Sequence, residues 1–445
     1  MTMRQAVLCS MFLVPGFGFL VPGSAAAQAP PPAAAARTFE LGALQEAAIT
    51  SDPRMQQLRL LMDQSGLRLR NIAAGRLPAI LVEGQAQYQS DVPTAPFTSA
   101  SGQPLFSPPK ATYDGGIRID QRLFDRTLDA QAALERAQLA AQQARVRTTL
   151  FALRQQVNDA FFGAAAMQAR AGALAAVVAD LDARLQETNA RVTQGTALSA
   201  DAAAIEATLL QRQQEEDELR TSREIALARL AVLTGQQVRE DDELAMPNLG
   251  QAVARVQQAS AQERVRPEYD QFIRTRERLA RQAELTTAQE RPRVSTYAKV
   301  GYGKPGLNFI ADEFDGYALG GLRVQWNAWT WGTGGREREA LAIQQQVVAA
   351  DQAAFEKGLR DATEGDRAAI DRLQHALAID ERIVTLREQV ARSTQVRLQE
   401  GVVTASEYLD RTAELLQARF ARAGHQVELA QVSARLLTTL GLEVR

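Results

Sequence analysis

Few side chains in this sequence could do chemistry. The single cysteine, Cys9, lies in the first ten residues, which excludes a structural disulfide, a thiolate nucleophile or a cysteine-bound metal elsewhere. His375 and His425 lie on different helical stretches with no cysteine or carboxylate motif around them, so solvated helix positions are expected rather than metal ligands. Met55, Met62, Met167 and Met246 are too scattered to relay copper. Trp331-Gly332-Thr333-Gly334-Gly335-Arg336 is superficially like a phosphate loop. It lacks the Gly-Lys-Ser/Thr ending that places a lysine and a magnesium ligand, so it reads as a strand exit. No cofactor, metal or catalytic residue is expected, and the chain is not expected to be an enzyme.

One group of acids remains. Asp201, Glu407 and Asp410 each follow a helix–helix turn, and Glu407 and Asp410 stand at i, i+3, on one side of a helix. Repeated around an axis, such carboxylates become rings that favour cations in a narrow pore. Local structure offers a second reading. Ser199 and Thr404 can cap the helices that follow, Thr404-x-x-Glu407 is a capping box, and first-turn acids complement the helix dipole. Capping suits Asp201 well and Asp410 poorly.

Composition narrows the class. With 50 basic and 52 acidic residues the net charge is −2, which excludes nucleic-acid binding by bulk electrostatics. A mean hydropathy of −0.23 excludes a bundle of apolar membrane helices. At 445 residues the chain is too long for one ordinary core. Residues 1–27 read as a secretory signal peptide, with Arg4, an apolar run over Ala6–Leu20 and small residues Ala25 and Ala27 before Gln28. That run is too short to span a membrane, and Cys9 comes too early in it to be a lipidation site. Residues 28–37 form a Pro/Ala-rich linker.

The rest reads as one unit built twice, over 38–240 and 241–445. Pro78 and Tyr88 correspond to Pro292 and Tyr302. Gly115-Gly116-Ile117-Arg118-Ile119 corresponds to Gly320-Gly321-Leu322-Arg323-Val324. Arg191–Gly195 corresponds to Arg397–Gly401, and Leu233-Thr234-Gly235 to Thr439-Leu440-Gly441. Each half predicts a helix, two strands, a very long helix, a tip turn (194–198 and 400–404) and a returning helix. Between Leu128 and Arg191 there is no proline, and apolar residues step by threes and fours, which predicts an unbroken coiled-coil helix roughly 95 Å long.

The strands, near 78–90, 113–124, 293–303 and 317–327, alternate in polarity. Val82, Ile119, Val300 and Val324 fall on apolar faces; Glu83, Arg118, Lys299 and Arg323 fall on polar faces and are expected to tolerate exchange. Ten-residue segments of this kind suit a transmembrane β-barrel with lipid outside and water inside. Tyr88, Phe124, Tyr302, Trp326, Trp329 and Trp331 cluster at strand ends, as an interfacial aromatic belt requires. Two hairpins on a soluble domain would show similar alternation, and a soluble coiled coil similar helices.

Over nearly all of the mature chain these motifs, in this order and twice, resemble the TolC-type outer membrane efflux and secretion ducts. Phe39-Glu40-Leu41 with Asp52-Pro53 looks like the family's opening helix. Gly75-Arg76-Leu77-Pro78 looks like its strand entry. Gln121–Asp125 and Trp326–Trp329 with Gly332, Gly334 and Gly335 look like its strand-to-helix exits. Some members link their gate through a tyrosine and an arginine, which fall here on Leu398 and Val403. The resemblance implies a mixed α/β membrane protein: a long α-helical coiled-coil barrel, plus four strands per chain in a trimeric outer membrane β-barrel. It implies a homotrimer in a Gram-negative outer membrane, reaching into the periplasm. Its partners would be outer membrane lipid, a periplasmic membrane-fusion adaptor and an inner-membrane pump (RND, ABC or similar), with no nucleic acid. Gly195, Thr196, Ala197, Leu198, Gly401, Val402 and Val403 would form the tip that meets the adaptor. Asp201, Glu407 and Asp410 would line the pore constriction. The alternative is a soluble periplasmic coiled-coil structural or adaptor protein.

Overall fold

The computed structural model describes residues 37–92, 108–258, 265–308 and 312–444; the signal peptide and most of the linker lie outside these residues. The first half runs β1 (Thr38–Glu40), α1 (Leu41–Ser51), α2 (Arg54–Ala74), β2 (Ala79–Tyr88), β3 (Ala111–Phe124), α3 (Arg126–Phe151), α4 (Leu153–Thr193) and α5 (Ser199–Thr234). The second runs β4 (Glu243–Ala245), α6 (Gly250–Gln258), α7 (Pro267–Gln289), β5 (Arg293–Lys304), β6 (Asp315–Gln325), α8 (Thr333–Gln399) and α9 (Ala405–Thr439).

The long helices differ between halves. α8 is unbroken over 67 residues, about 100 Å at 1.5 Å per residue. The helix expected over Leu128–Arg191 is instead interrupted at Ala152, where one residue keeps right-handed helical angles (φ −63, ψ −20) between α3 and α4. The α3–α4 run includes a stretch apolar enough to cross a membrane. A third of that stretch is buried within the chain, and along the run Val157, Phe161, Phe162, Leu174 and Leu181 are buried. One core joins α1, α4, α5, α6, α8 and α9; a smaller one near the turns joins Leu174, Val177 and Leu181 to Ile205, Leu209, Tyr408 and Leu416.

Two features escaped the sequence patterns. β1 pairs with β4 in parallel, Phe39 opposite Leu244, tying the start of one half to the start of the other. Asp242 secures that junction. Its carboxylate is buried, accepts from the backbone amides of Arg239 (2.8 Å) and Arg37 (3.0 Å), and is held below the usual carboxylate range, chiefly by the Arg239 amide.

Candidate functional site: a two-faced sheet and a helical tip

The four long strands form one antiparallel sheet in the order β2-β3-β5-β6. Its register puts Val82 opposite Ile117, Ile117 opposite Val300, and Val300 opposite Ala318. Val82 is 83% exposed, Val300 66% and Val324 67%. An apolar face that no described residue covers is what the alternation predicted. The register shifts once: a bulge at Leu123 puts Phe124, rather than Leu123, opposite Val294.

The other face carries a charge network. The Arg118 guanidinium donates to Asp120 (3.0 Å) and Glu83 (3.4 Å), and Lys299 pairs with Asp114 and lies 3.8 Å from Glu83. The Tyr317 hydroxyl also donates to Asp114, and Arg118 and Arg323 stack on Tyr297. Glu83, Arg118, Lys299 and Arg323, expected to tolerate exchange, each have a partner on a neighbouring strand. Close approach of strands demands glycine at Gly116. A Cβ there would sit 2.6 Å from the Val300 carbonyl oxygen.

At the other end of the molecule the two turns come together. Gly195 (φ 71) and Gly401 (φ 73) end α4 and α8 in the left-handed conformation. Gly195, Thr196, Ala197, Leu198, Gly401, Val402 and Val403 line one cleft of about 450 Å³, and Asp201 joins them. Glu407 and Asp410 are not among its walls; they sit on the first turns of α9, half-buried and exposed respectively. Thr404 caps α9 as expected, its hydroxyl accepting from the Glu407 amide at 3.3 Å. Ser199 does not cap α5. The cap position is Leu198, which has no side chain able to accept, so Ser199 already lies inside the helix.

Near this tip the Tyr408 hydroxyl donates to Asp180, joining α9 to α4. Burial first, and then the Asp180 carboxylate, push the phenol pKa up to about 12. A sequence signal existed. Tyr408 occupies an apolar core position between Ala405 and Leu415, where a phenol must find an acceptor. His425 departs from its expected solvated place too, its Nδ1 lying 2.6 Å from Asp380 Oδ2 across the α8–α9 pair, whereas His375 is exposed.

Residues 44–236 match the family described as outer membrane efflux protein. Three solved structures share the fold. CusC is 14% identical, with a TM-score of 0.68 over 90% of this chain and 92% of that one. VceC, an outer membrane protein of Vibrio cholerae, is 17% identical, with a TM-score of 0.64 over 91% of this chain and 97% of that one. The MtrE outer membrane channel of Neisseria gonorrhoeae in its open state is 16% identical, with a TM-score of 0.62 over 91% and 89%. No curated protein matches the chain. Family match and fold agree: over 44–236 by sequence, and over about nine-tenths of its length by fold, the chain is similar to outer membrane efflux proteins.

The aromatic residues of the sheet separate into two levels. Tyr88 and Tyr302 lie toward the loop end, where Tyr302 and Tyr113 both stack on Phe314 (centroids 5.7 and 6.2 Å). Phe124, Trp326, Trp329 and Trp331 lie at the helix end. Tyr302 stands opposite Gly115, nine residues along β3 from Phe124. Nine residues span about 30 Å along a strand. A tilt of 35–45° reduces that to roughly the 25 Å height of a barrel's apolar band. Tyr113 and Phe314 belong to the loop-end level, which spacing alone did not reveal.

Proposed function

We propose that the chain is the passive exit duct of a tripartite efflux or type I secretion system. Three copies close one barrel of twelve strands, and their helices continue it as a hollow cylinder across the periplasm. The supporting observation is the sheet itself. β2 and β6 are its edges, each with one side unpaired among the described residues, while its apolar face lies open. Open edges are not tolerated in lipid, and four strands cannot enclose a lumen. Further copies satisfy both needs at once.

In this reading the apolar face and both aromatic levels meet lipid, and the charge network faces the lumen. The shared tip cleft receives the hairpin of a periplasmic membrane-fusion adaptor, and an inner-membrane pump supplies the energy. Asp201, Glu407 and Asp410 line the narrowest part near the tip, and the duct catalyses nothing. Fractionation tests the assembly. Detergent extraction from outer membranes as a trimer is expected, and recovery as a soluble periplasmic monomer would overturn it in favour of a structural coiled coil.

A further inference from the structure

We propose that Arg293 and Arg323, set around Ser295 on the polar face of the sheet, form a cradle for the phosphate-type group of an anionic solute in transit. This rests on the reading of the polar face as the lumen wall of a duct, which by itself assigns that wall no ligand.

The register builds the cradle. Arg122 on β3 stands opposite Ser295 on β5, and Ser295 stands opposite Arg323 on β6, so the three form one row across three strands. Arg293 lies two residues before Ser295, on the same face. It is therefore a diagonal neighbour of Arg323, with Cα atoms about 7–8 Å apart. Ser295 is the short member of the row, a floor that ends in a hydroxyl between long arginines.

The two arginines are set apart by what they lack. The other cations of this face are matched by acids: Arg118 by Asp120 and Glu83, Lys299 by Asp114, and Arg122 by Asp125 at 3.4 Å. Among the described residues Arg293 and Arg323 pair with no acid, and the Arg293 Nε is buried without a hydrogen-bond partner. Arg323 is positioned by a ring instead. Its guanidinium packs on Tyr297 at 5.1 Å, and that ring lies across Gly321, where a Cβ would sit 3.0 Å from the phenol oxygen. Glycine at 321 makes room for the ring that holds the fork. Two neighbouring cations without counter-charge repel each other, and an anion seated between them reverses the sign of that interaction.

The chemistry selects the ligand. Each guanidinium offers paired N–H donors in the geometry that carboxylate and phosphate oxygens accept, and Ser295 adds a hydroxyl. Two uncompensated positive charges match a doubly charged group better than a carboxylate with its single charge. A phosphate monoester or a diphosphate carries that charge near neutral pH, with oxygens enough for both forks. Three copies repeat the cradle at one level of the lumen, at the end of the sheet where the helices begin, and a wall of one sign there concentrates anions.

Pyrophosphate is the probe, added to both sides of a planar lipid bilayer that holds the assembled full chain in potassium chloride. It is expected to interrupt the single-channel current. The half-blocking concentration should rise roughly tenfold or more in Arg293→Gln with Arg323→Gln, while unit conductance stays close to native. Should that pair of changes prevent channels from forming, Arg323→Gln alone carries the same test. Open native channels that pyrophosphate leaves undisturbed would overturn the proposal, as would equal block of native and glutamine channels. Native-strength block in Arg293→Lys with Arg323→Lys would also overturn it, because charge without the planar fork would then be enough. Acetate at the same ionic strength should block far less, and equal block by acetate would remove the phosphate assignment. A chain that conducts no current at all removes the duct reading instead. Calorimetric titration of the detergent-solubilised protein with pyrophosphate then decides the cradle: heat that the glutamine variant loses keeps it, and no heat from the native chain removes both.

Discussion

The hydroxyl of Tyr408 on α9 donates to the carboxylate of Asp180 on α4, and so joins two helical hairpins whose tips share a cleft. Tyr408 is 2% exposed, and Arg184 lies 3.8 Å from the same carboxylate, so the bond is charge-assisted, its donor buried and its Asp180 acceptor in part open to water. Tyr408→Phe keeps the ring's packing and removes only the donor. It should destabilise the helical region by about 1–3 kcal/mol. Urea unfolding followed by circular dichroism measures this, and an unchanged midpoint would sink the idea that the bond holds the hairpins together.

The same bond has a predictable pH dependence. The folded phenol titrates at about 12, above its ordinary value near 10. A raised folded pKa gives stability that is complete below the unfolded pKa and is lost as pH rises through the folded one. The stability difference between the native chain and Tyr408→Phe should therefore stay flat up to about pH 10 and shrink toward pH 12. A difference that already falls between pH 6 and 8 would mean another group is responsible.

The apolar face of the sheet should reject charge. Val300 stands at mid-strand beside Ile117 and Ala318, so Val300→Arg should cost roughly 2–4 kcal/mol, with smaller penalties toward Val324 near the helix end. Folding titrations in lipid vesicles give the comparison. Equal costs at the two positions would contradict the assigned depth.

Gly116 tests strand approach on the opposite face. A methyl group there meets the backbone of Val300 and Gly301, neither of which can swing away. Gly116→Ala should cost about 1–3 kcal/mol as overpacking. Gly84, which has open space around it, should tolerate the same change. Heat-dependent gel mobility of the folded barrel can rank the two.

Glu407 and Asp410 should act on ions more than on the fold. Replacing both by alanine should weaken cation preference and block by multivalent cations in single-channel recordings. The accompanying stability loss should be only about 0.3–1 kcal/mol, since Thr404 still caps α9. Unchanged selectivity in an intact assembly would leave helix capping as their role.

The sequence by itself determined the elements. Period-two polarity placed all four strands to within about two residues, because each pleat sends successive side chains to opposite faces whatever lies beyond. Period-three-and-four spacing placed the long helices, and Gly195 and Gly401 marked both tips, because a left-handed helix end is a local backbone demand. Tertiary structure decided what those periodicities do not encode. The β1–β4 pairing joins three-residue segments too short to show a pattern. The bulge at Leu123 depends on what β5 offers opposite it. Tyr408 meets Asp180, and Lys299 meets Asp114, across separations of 228 and 185 residues. Polarity patterns record only whether a side chain faces water or apolar surroundings; which partner satisfies it is fixed by the packing of elements far apart in the chain.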